Sequence, residues 1–399
     1  MIVKTFLKPI VILQIGIFCL SSLPSFADTF YVATTGSDSA DGSTAHPWNS
    51  IDYALSQLAG GSTLVIRSGV YLGGVHVDPS CNGTASKPTI IKAESKWKTK
   101  LVGSDEHGVY VADNTDWIVI DGFEVRGALA DGVKLSGNHS TIKNCWVHNN
   151  AQMGCSSHHS LNNVMDSNLV EFNGQNAQLH HGIYADGDGL IIRNNIVRHN
   201  AAYGLHLYPG VRFASIYNNL VYGHPAKAGI LVQCPAGGGH NVVVNNTSVN
   251  NLVALDIRGG DGEIVANNIL ISINGDPITL SQLSIANQID YNLTLPRSTH
   301  DGVHGISVNP QFIDASHQCY WLKFTSPCRA MGNKLIAPKT DFWNIDKSLG
   351  NTSDIGSYYF YSALLSPLKR IKWYEGYPYR FADNLGEDIV DFWDPNTTL

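Results

Sequence analysis

Two side chains that can transfer protons occupy equivalent places in two similar phrases of the sequence. Tyr184 lies in Gly-Ile-Tyr-Ala-Asp, and His206 lies 22 residues further on in Gly-Leu-His-Leu-Tyr. A histidine can accept a proton near neutral pH, and a tyrosine can act as an acid, or as a base where a nearby cation lowers its pKa. Lys227, just before the next such phrase, is the alternative base. We therefore predict that Tyr184 and His206 are a proton-transfer pair, which requires a fold that places the two phrases side by side.

A recurring asparagine predicts that fold. It returns at intervals of 22 to 27 residues, as Asn144, Asn168, Asn195, Asn219, Asn246, Asn268 and Asn292. Each unit reads as a short apolar strand, a turn at the asparagine, a second strand, a polar turn and a third strand. Such a unit cannot bury its own apolar face, so tandem units stack into a solenoid, and strand-rich units predict an all-β parallel β-helix. Asparagine tolerates the left-handed backbone region and can hydrogen-bond to the amide one coil away, so we assign this column a structural role.

The third strands can be aligned on their first residues, which are Gly132, Gly154, Gly182, Gly204, Gly229, Ala254 and Pro277. The next residue is apolar in every unit and is predicted to point inward: Val133, Cys155, Ile183, Leu205, Ile230, Leu255 and Ile278. Because side chains alternate along a strand, the following residue should point outward: Lys134, Ser156, Tyr184, His206, Leu231, Asp256 and Thr279. Two residues later comes a second outward column: Ser136, His158, Asp186, Tyr208, Gln233, Arg258 and Ser281. The tyrosines, histidines and charges of the two outward columns together are typical of a surface that binds a polyhydroxylated or acidic chain.

The two ends of the chain differ from the repeats. Residues 1–27 carry lysines, a short apolar run and a small-x-small sequence, which predict a cleaved signal peptide and a secreted or periplasmic protein. The apolar run is too short to span a membrane. Residues 28–339 are predicted to form the β-helix, with a short helix over 51–58 that covers its N-terminal end. Residues 340–399 lose the repeat and are predicted to form an irregular, aromatic-rich C-terminal cap, although a tail that folds back along the groove is the alternative.

Composition and cysteine content narrow the possible partners. Only 15% of the residues are charged and the net charge is −7, so no nucleic-acid partner is expected and the protein is predicted to be a monomer. Six cysteines follow the signal segment, and Cys319 and Cys328 are the pair that we expect to form a disulfide, because they are close and flank an expected hairpin. No cysteine and histidine spacing typical of zinc is present, so no structural metal is predicted.

Four stretches carry a family resemblance. They are YVATTGSDSADGSTAHPWNSIDYAL (31–55), NPQFID (309–314), SPCRAMG (326–332) and SDIGSYYF (353–360). Together with the coils between them, they resemble the right-handed parallel β-helix superfamily that includes the pectate-lyase-like polysaccharide lyases of pectate and alginate type. The resemblance covers nearly the whole chain after residue 27. It implies a right-handed β-helix, whereas the superfamily hosts several activities and leaves the reaction open.

The resemblance implies a lyase that cleaves a uronate-containing polysaccharide, such as alginate or pectate, by β-elimination. That reaction needs a base for the C5 proton, help for the O4 leaving group and neutralisation of the carboxylate. The base in β-helix lyases is commonly a lysine or arginine, and some alginate-type members pair a tyrosine with a lysine, which favours Tyr184 with His206 or Lys227. The residues predicted to bind the substrate are Lys134, His158, His181, Asp186, Tyr208, Gln233 and Arg258.

Other functions on the same fold remain open. A glycoside hydrolase needs two carboxyl groups roughly 5 to 9.5 Å apart, and Asp186 with Asp188 is the plausible pair. A uronan C5-epimerase shares the proton abstraction, and a non-catalytic carbohydrate-binding surface protein would keep the same columns. Calcium-dependent pectate lyases gather several carboxylates, whereas Asp186 and Asp256 lie three coils apart, too far to share an ion. A small calcium site at Asp186, Asp188 and Asp131 is an alternative, but a tight turn is favoured for this phrase.

Overall fold

Three long parallel sheets build the fold, and each coil of the chain contributes one strand to each sheet in turn. The computed structural model describes residues 28–103, 105–235, 238–281, 287–342 and 353–357, together with the backbone of three short strands nearer the C-terminus. All pairs of neighbouring strands within the three sheets are parallel. The prediction of a parallel β-helix is therefore confirmed. The predicted signal peptide, 1–27, lies outside the described residues.

The strands of each coil follow one another in the order first, second and third sheet. The first sheet contains Thr29–Val32, Thr63–Ile66, Thr89–Ala93, Ile118–Asp121, Thr141–Lys143, Val164–Asp166, Ile191–Arg193, Ser215–Tyr217, Val242–Val244, Ile264–Ala266 and Gln288–Asp290. The second contains Gly69–Leu72, Thr99–Val102, Glu124–Arg126, Trp146–His148, Leu169–Glu171, Ile196–Arg198, Leu220–Tyr222, Thr247–Asn251, Ile269–Ser272 and Leu293–Leu295. The third contains Val75–Val77, Val109–Val111, Val133–Leu135, Cys155–Leu161, Ile183–Asp188, Leu205–Leu207, Ala228–Gln233, Val253–Arg258 and Ile278–Ser281.

The core is a stack of apolar side chains enclosed by the three sheets. The predicted inward column of the third sheet, from Val133 to Ile278, is fully buried at each of its seven positions. Because every coil places one apolar residue directly above the last, burial is continuous along the axis and no single coil is stable alone. This packing fixes which face of the third sheet points outward.

An asparagine ladder joins successive coils between the first and second sheets. The Asn195 Nδ2 group donates to Asn219 Oδ1 at 3.0 Å, and the same bond recurs from Asn219 to Asn246 at 3.0 Å. The ladder runs through Asn168, Asn195, Asn219, Asn246, Asn268 and Asn292, all fully buried. Asn144 does not belong to it: the ladder position in that coil is Cys145, and Asn144 occupies the left-handed turn position one residue earlier. The structural role predicted for the asparagine column is otherwise confirmed.

A second ladder, which the sequence interpretation missed, follows the second sheet. It runs through Asn150, Asn173, Asn200, His224 and Asn251. The His224 ring takes the place of an amide, because its Nε2 atom accepts from the Asn200 N–H at 3.4 Å and its Nδ1 atom lies 3.0 Å from Asn251 Oδ1. A neutral imidazole offers one acceptor and one donor, as the ladder requires. Burial lowers the pKa of His224 to about 4, because the charged ring would lose solvent, while the bond to Asn251 acts in the opposite direction.

His224→Asn should make the protein less sensitive to acid. The unfolded chain binds a proton at His224 below about pH 6.5, whereas the folded chain binds it near pH 4. The stability contributed by the neutral ring is therefore complete above pH 6.5 and is lost as the pH falls to about 4. Between about pH 7 and pH 4.5, urea unfolding should show a loss of stability that is smaller in the variant by on the order of 2 kcal/mol. Equal losses in both proteins would contradict this role.

A short helix closes the N-terminal end, as predicted. It spans Ile51–Gln57, and the Ser50 side chain accepts from the Tyr53 N–H at its start, at 3.2 Å. Ile51, Ala54 and Leu55 are buried against the first coil. Two 3-10 turns, Pro79–Cys81 and Ala315–His317, complete the helical elements of the described chain.

The C-terminal part follows the outside of the coils where it is described. Phe312–Asp314 pairs antiparallel with Cys319–Leu322. Residues 353–357 lie against the turn that joins the first and second sheets, where the Asn245 Nδ2 group donates to the Gly356 carbonyl at 3.0 Å. The backbone of Trp373–Tyr374, Tyr377–Phe381 and Val390–Asp391 forms a small antiparallel sheet. Most of the predicted cap, 340–399, including Trp343 and Trp393, lies outside the described residues.

The expected disulfide is wrong. Cys319 and Cys328 are separate buried thiols, as are the other four cysteines after the signal segment. Cys319 lies in the strand of the antiparallel pair, whereas Cys328 lies in the turn that follows it. Burial raises the pKa of the Cys319 thiol to about 11 and that of Cys328 to about 12. Both cysteines therefore act as small apolar residues.

Candidate functional site

The register of the third sheet places Tyr184 beside His206. Tyr184 pairs with Ser156 on one side and with His206 on the other, and their rings lie 5.4 Å apart at nearly a right angle. Lys134 pairs with Ser156, and His206 with Leu231, so the predicted outward column keeps its order along the sheet. The two phrases that contain the proton-transfer candidates are therefore brought together as the repeat predicted.

Further rings surround this pair. His181 stacks on Tyr184 with 5.8 Å between ring centres, and His158 lies 5.2 Å from Tyr184 on the other side. Tyr203 stacks on His206 at 4.5 Å, and the exposed Tyr208 lies 5.4 Å from His206. His181 and Tyr203 both immediately precede the glycine that opens a third-sheet strand. The sequence interpretation missed Tyr203, although its place before Gly204 matches that of His181 before Gly182.

Two histidines form a directed hydrogen bond inside the cluster. The Tyr203 backbone N–H donates to His181 Nδ1 at 3.4 Å, so that atom must carry a lone pair. A neutral His181 then bears its proton on Nε2 and donates it to His206 Nδ1, 2.8 Å away. A neutral His206 in turn bears its own proton on Nε2. We therefore assign His206 as a hydrogen-bond donor toward the groove.

Burial keeps both histidines neutral. Desolvation, with a smaller contribution from the charges of Arg258 and Lys227, lowers the pKa of His206 to about 4. Desolvation, and then the neighbouring His206, lowers the pKa of His181 to about 3. His181 is 3% exposed, so it supports the site from beneath rather than facing the substrate. At neutral pH the pair carries no charge.

The Tyr184 hydroxyl is available and protonated. Desolvation, followed by the charge of Asp186, raises the pKa of Tyr184 above its ordinary value of 10. Within the described part of the chain, its hydroxyl makes no hydrogen bond to another residue. The group can therefore donate a proton to a bound ligand at neutral pH.

Two basic side chains, Lys227 and Arg258, lie near this cluster. Lys227 Nζ lies 5.4 Å from the centre of the Tyr203 ring and donates to Gln178 Oε1 at 2.6 Å. Among the residues that the structure describes, no carboxylate pairs with this lysine. Arg258 does have one, because its guanidinium contacts Asp256 Oδ2 at 2.7 Å. Among the described residues, Lys227 is thus a basic side chain of this cluster that no carboxylate holds, whereas Arg258 is held by Asp256.

The carboxylates of this face already have partners. Asp186 is 3% exposed, accepts from the His159 N–H and lies 3.7 Å from His158 Nδ1. Asp188 pairs with Arg212 at 3.2 Å. Asp131 accepts from the Ser156 hydroxyl at 2.6 Å. A calcium ion needs six to eight oxygen ligands, and no cluster of three acidic or histidine side chains placed to hold a metal occurs in the described residues. This set does not fit a calcium site.

Three members of the first outward column are buried, although exposure was expected. Ser156 and Leu231 are fully buried and Asp256 is 9% exposed. Ser156 is held down by its bond to Asp131, and Asp256 accepts from both Arg258 and the Thr279 hydroxyl. In the second column, Gln233 pairs in register with Arg258 and is partly exposed. The groove surface is therefore formed by the larger side chains that rise above these positions.

A family profile matches the first part of the β-helix. The profile described as "Pel9A-like, right handed beta helix region" matches residues 30–204, which include Tyr184 and most of the predicted coils before it. The resemblance to pectate-lyase-like β-helix proteins is thereby confirmed, and with it the right-handed sense of the coil.

Two curated relatives match parts of the chain. Pectate lyase PEL9 of Emericella nidulans is 31% identical over 105 residues, which cover 26% of this chain and 21% of that protein. Pectate lyase L of Paenibacillus polymyxa is 25% identical over 181 residues, which cover 40% of each protein. The matched parts thus span between a fifth and two fifths of these relatives.

Solved structures extend the likeness of the fold beyond the Pel9A-like region. The crystal structure of pectate lyase Pel9A superposes with a TM-score of 0.57 at 15% identity, covering 84% of this chain and 97% of that one. The structure of XylC with xylose gives a TM-score of 0.52 at 11% identity, with coverage of 84% and 98%. At such low sequence identity, these superpositions show a shared fold alone. No helix among the described residues is long and apolar enough to cross a membrane.

Proposed function

We propose that this protein is a polysaccharide lyase that cleaves an acidic, uronate-containing polysaccharide by β-elimination. The observation that carries the proposal is the cluster around His206. The ring of Tyr184, whose hydroxyl has no hydrogen-bond partner among the described residues, lies 5.4 Å from that of His206. Lys227, which has no carboxylate partner among those residues, lies 5.4 Å from the Tyr203 ring of the same cluster. The names of the two curated relatives, both pectate lyases, support the same class of reaction.

Each step of β-elimination has a suitable group here. Lys227, in its neutral form, accepts the C5 proton of the uronate. The electrons of the C5–H bond then form the C4=C5 double bond as the C4–O4 bond breaks. Tyr184 donates its proton to the departing O4, which leaves a free hydroxyl on one product and an unsaturated uronate on the other. Exchange with solvent returns Lys227 and Tyr184 to their starting protonation states.

His206 and Arg258 would hold the substrate rather than transfer its protons. The assigned Nε2–H group of His206 can donate to a sugar oxygen, and this favours Lys227 over His206 as the base. Arg258, whose side chain is 37% exposed and fixed by Asp256, can face the uronate carboxylate. Neutralising that carboxylate makes the C5 proton more acidic. Tyr208, Gln233 and His158 would line the neighbouring positions.

Ultraviolet absorbance of the conjugated double bond tests the proposal. The protein is incubated with pectate, alginate, hyaluronan, chondroitin and glucuronan, each with calcium and with a chelator. We expect absorbance to rise with at least one polymer, which names the substrate and measures any calcium requirement. New reducing ends without absorbance would instead favour a hydrolase that uses Asp186 and Asp188. Binding with neither signal would favour an epimerase or a non-catalytic binding protein.

The site of action is proposed to be outside the cytoplasm. Polymers of this kind are too large for uptake, and residues 1–27 are predicted to be a signal peptide. We propose further that residues 28–339 act as a monomeric catalytic domain and that 340–399 form a C-terminal extension. N-terminal sequencing of the exported protein should give Asp28 as the first residue.

A further inference from the structure

A second cluster of polar rings lies on the same face, toward the N-terminal end of the third sheet. It surrounds an open cavity of about 310 Å3 lined by His76, Glu106, His107, Tyr110 and Lys134. This volume falls at the lower end of the range found for small-molecule sites, roughly 300 to 1,000 Å3. The cavity contains none of the groups assigned to proton transfer.

The register links this cavity to the site at Tyr184. His76 pairs with Tyr110, Tyr110 with Lys134, Lys134 with Ser156, and Ser156 with Tyr184. The cavity residues thus continue the first outward column of the third sheet. Lys134 lies two coils before Tyr184, or about 10 Å at the usual spacing of strands. That distance exceeds the width of one sugar ring, so a single sugar bound at Tyr184 would not fill the cavity.

The cavity combines a cation with an aromatic face. Lys134 Nζ lies 5.8 Å from the centre of the Tyr110 ring, and no ion pair neutralises this lysine in the ranges that the structure describes. The ring of Tyr110 is held between His107, at 5.5 Å, and His76, at 6.5 Å. An aromatic ring beside a cation suits a uronate, because the ring packs on the C–H face of the sugar while the cation binds its carboxylate.

Hydrogen-bonding groups complete the wall of the cavity. His107 is 8% exposed, and its Nδ1 atom accepts from the Asp131 N–H at 3.4 Å. His76 Nε2 lies 3.1 Å from the His107 carbonyl. Glu106 is exposed, and its Oε1 atom lies 3.8 Å from His107 Nε2. Carboxylate and imidazole groups of this kind can bond to the hydroxyls of a sugar, and only Lys134 carries a fixed positive charge.

We propose that the cavity at Tyr110 and Lys134 is a remote subsite for one uronate unit of a chain that also occupies the site at Tyr184. This inference rests on the proposed function for the identity of the chain, but not for the existence of the subsite. It makes recognition depend on chain length. Oligomers that reach from Tyr184 to Lys134 bind through both clusters, whereas shorter ones bind through one.

The test compares binding of galacturonate and alginate oligomers of increasing length by isothermal titration calorimetry. If the wild type shows lyase activity, all variants carry Tyr184→Phe as well, so that the oligomers are not cleaved during the titration. If it shows none, the variants are made in the wild-type protein. Lys134→Met and Tyr110→Ala should each weaken binding of long oligomers about tenfold, and the loss should shrink below twofold for dimers. Lys92→Met is the matched control, because it removes the same charge from the first sheet.

The outcomes separate the two proposals. Length-dependent loss of binding, with no unsaturated product from the wild type, would support the subsite and overturn the lyase assignment. Lyase activity with equal binding by the wild type, Lys134→Met and Tyr110→Ala would overturn the subsite alone. If Lys92→Met weakens the binding of long oligomers as much as Lys134→Met does, the loss of affinity follows from net charge alone, and the subsite is overturned. Failure of the wild type to bind any of these oligomers would overturn it as well. Circular dichroism of each variant verifies that the β-helix is intact.

Discussion

Tyr184→Phe is expected to lower kcat for β-elimination by about 10²–10⁴-fold, the usual effect of removing a positioned acid. Phenylalanine keeps the ring that packs between His158 and His206, at 5.2 and 5.4 Å, but lacks the hydroxyl. Because the pKa of Tyr184 is raised above 10, the wild type should lose activity by deprotonation of this acid only in strongly alkaline solution. That alkaline loss should disappear from the residual activity of the variant. Initial rates measured from unsaturated product across the pH range give both results.

Tyr217→Phe provides the matched control for this experiment. Tyr217 lies on the first sheet, where its hydroxyl accepts from Arg193 at 3.0 Å, so its loss should leave the rate of elimination unchanged. A Tyr184→Phe rate within twofold of wild type would show that another group protonates O4. A variant with normal kcat but a raised KM would assign Tyr184 to binding.

Asn219→Leu should produce the largest loss of stability, about 4 kcal/mol. The Asn219 amide accepts from the Asn195 backbone N–H at 3.1 Å and donates to the Ile192 carbonyl at 2.8 Å. Leucine has a similar volume but leaves both backbone groups buried without a partner, and each such group costs about 1–3 kcal/mol. It also breaks the two amide bonds to Asn195 and Asn246. Urea unfolding followed by circular dichroism measures the change.

Asn309→Leu is the matched control, because it measures how far replacing an asparagine outside the ladder changes stability. Asn309 is exposed in a loop, and its one side-chain hydrogen bond to another described residue is accepted from the Gln311 N–H at 2.8 Å. Its replacement should change the free energy of unfolding by less than about 1 kcal/mol. Similar losses in the two variants would mean that the ladder adds little to stability beyond the strands it joins.

The repeat made the fold and its register predictable. A recognisable residue precedes each third-sheet strand in these coils and indicates which of the following side chains point inward and which point outward. Gly182 and Gly204 open their strands directly before the inward Ile183 and Leu205, so the outward Tyr184 and His206 followed by alternation. Asn144 was misplaced because it is the one asparagine at its turn and occupies the left-handed position, whereas Cys145 occupies the ladder position of that coil.

The site itself was less predictable, because burial depends on side chains from other coils. Leu231 lies at an outward position of its strand but is fully buried. Asp186 is also buried, and the rings of His158 and His159 contact its carboxylate. Tyr110 escaped notice although it follows Gly108 and Val109 in the same pattern as Tyr184 after Gly182. Extending the alignment toward the N-terminus would have found it. The direction of the hydrogen bond between His181 and His206 depends on a backbone N–H, which no pattern of side chains specifies.

Because the coils stack in register, distances along the third sheet increase in steps of one coil. Every coil adds one rung to the third sheet, and neighbouring rungs are separated by the spacing of paired strands, about 4.8 Å. A whole coil inserted between Lys134 and Tyr184 would move the two clusters apart by one rung without changing the geometry inside either. Evolution or design could therefore alter the shortest chain that such a protein recognises in discrete steps, by counting coils rather than by reshaping a pocket.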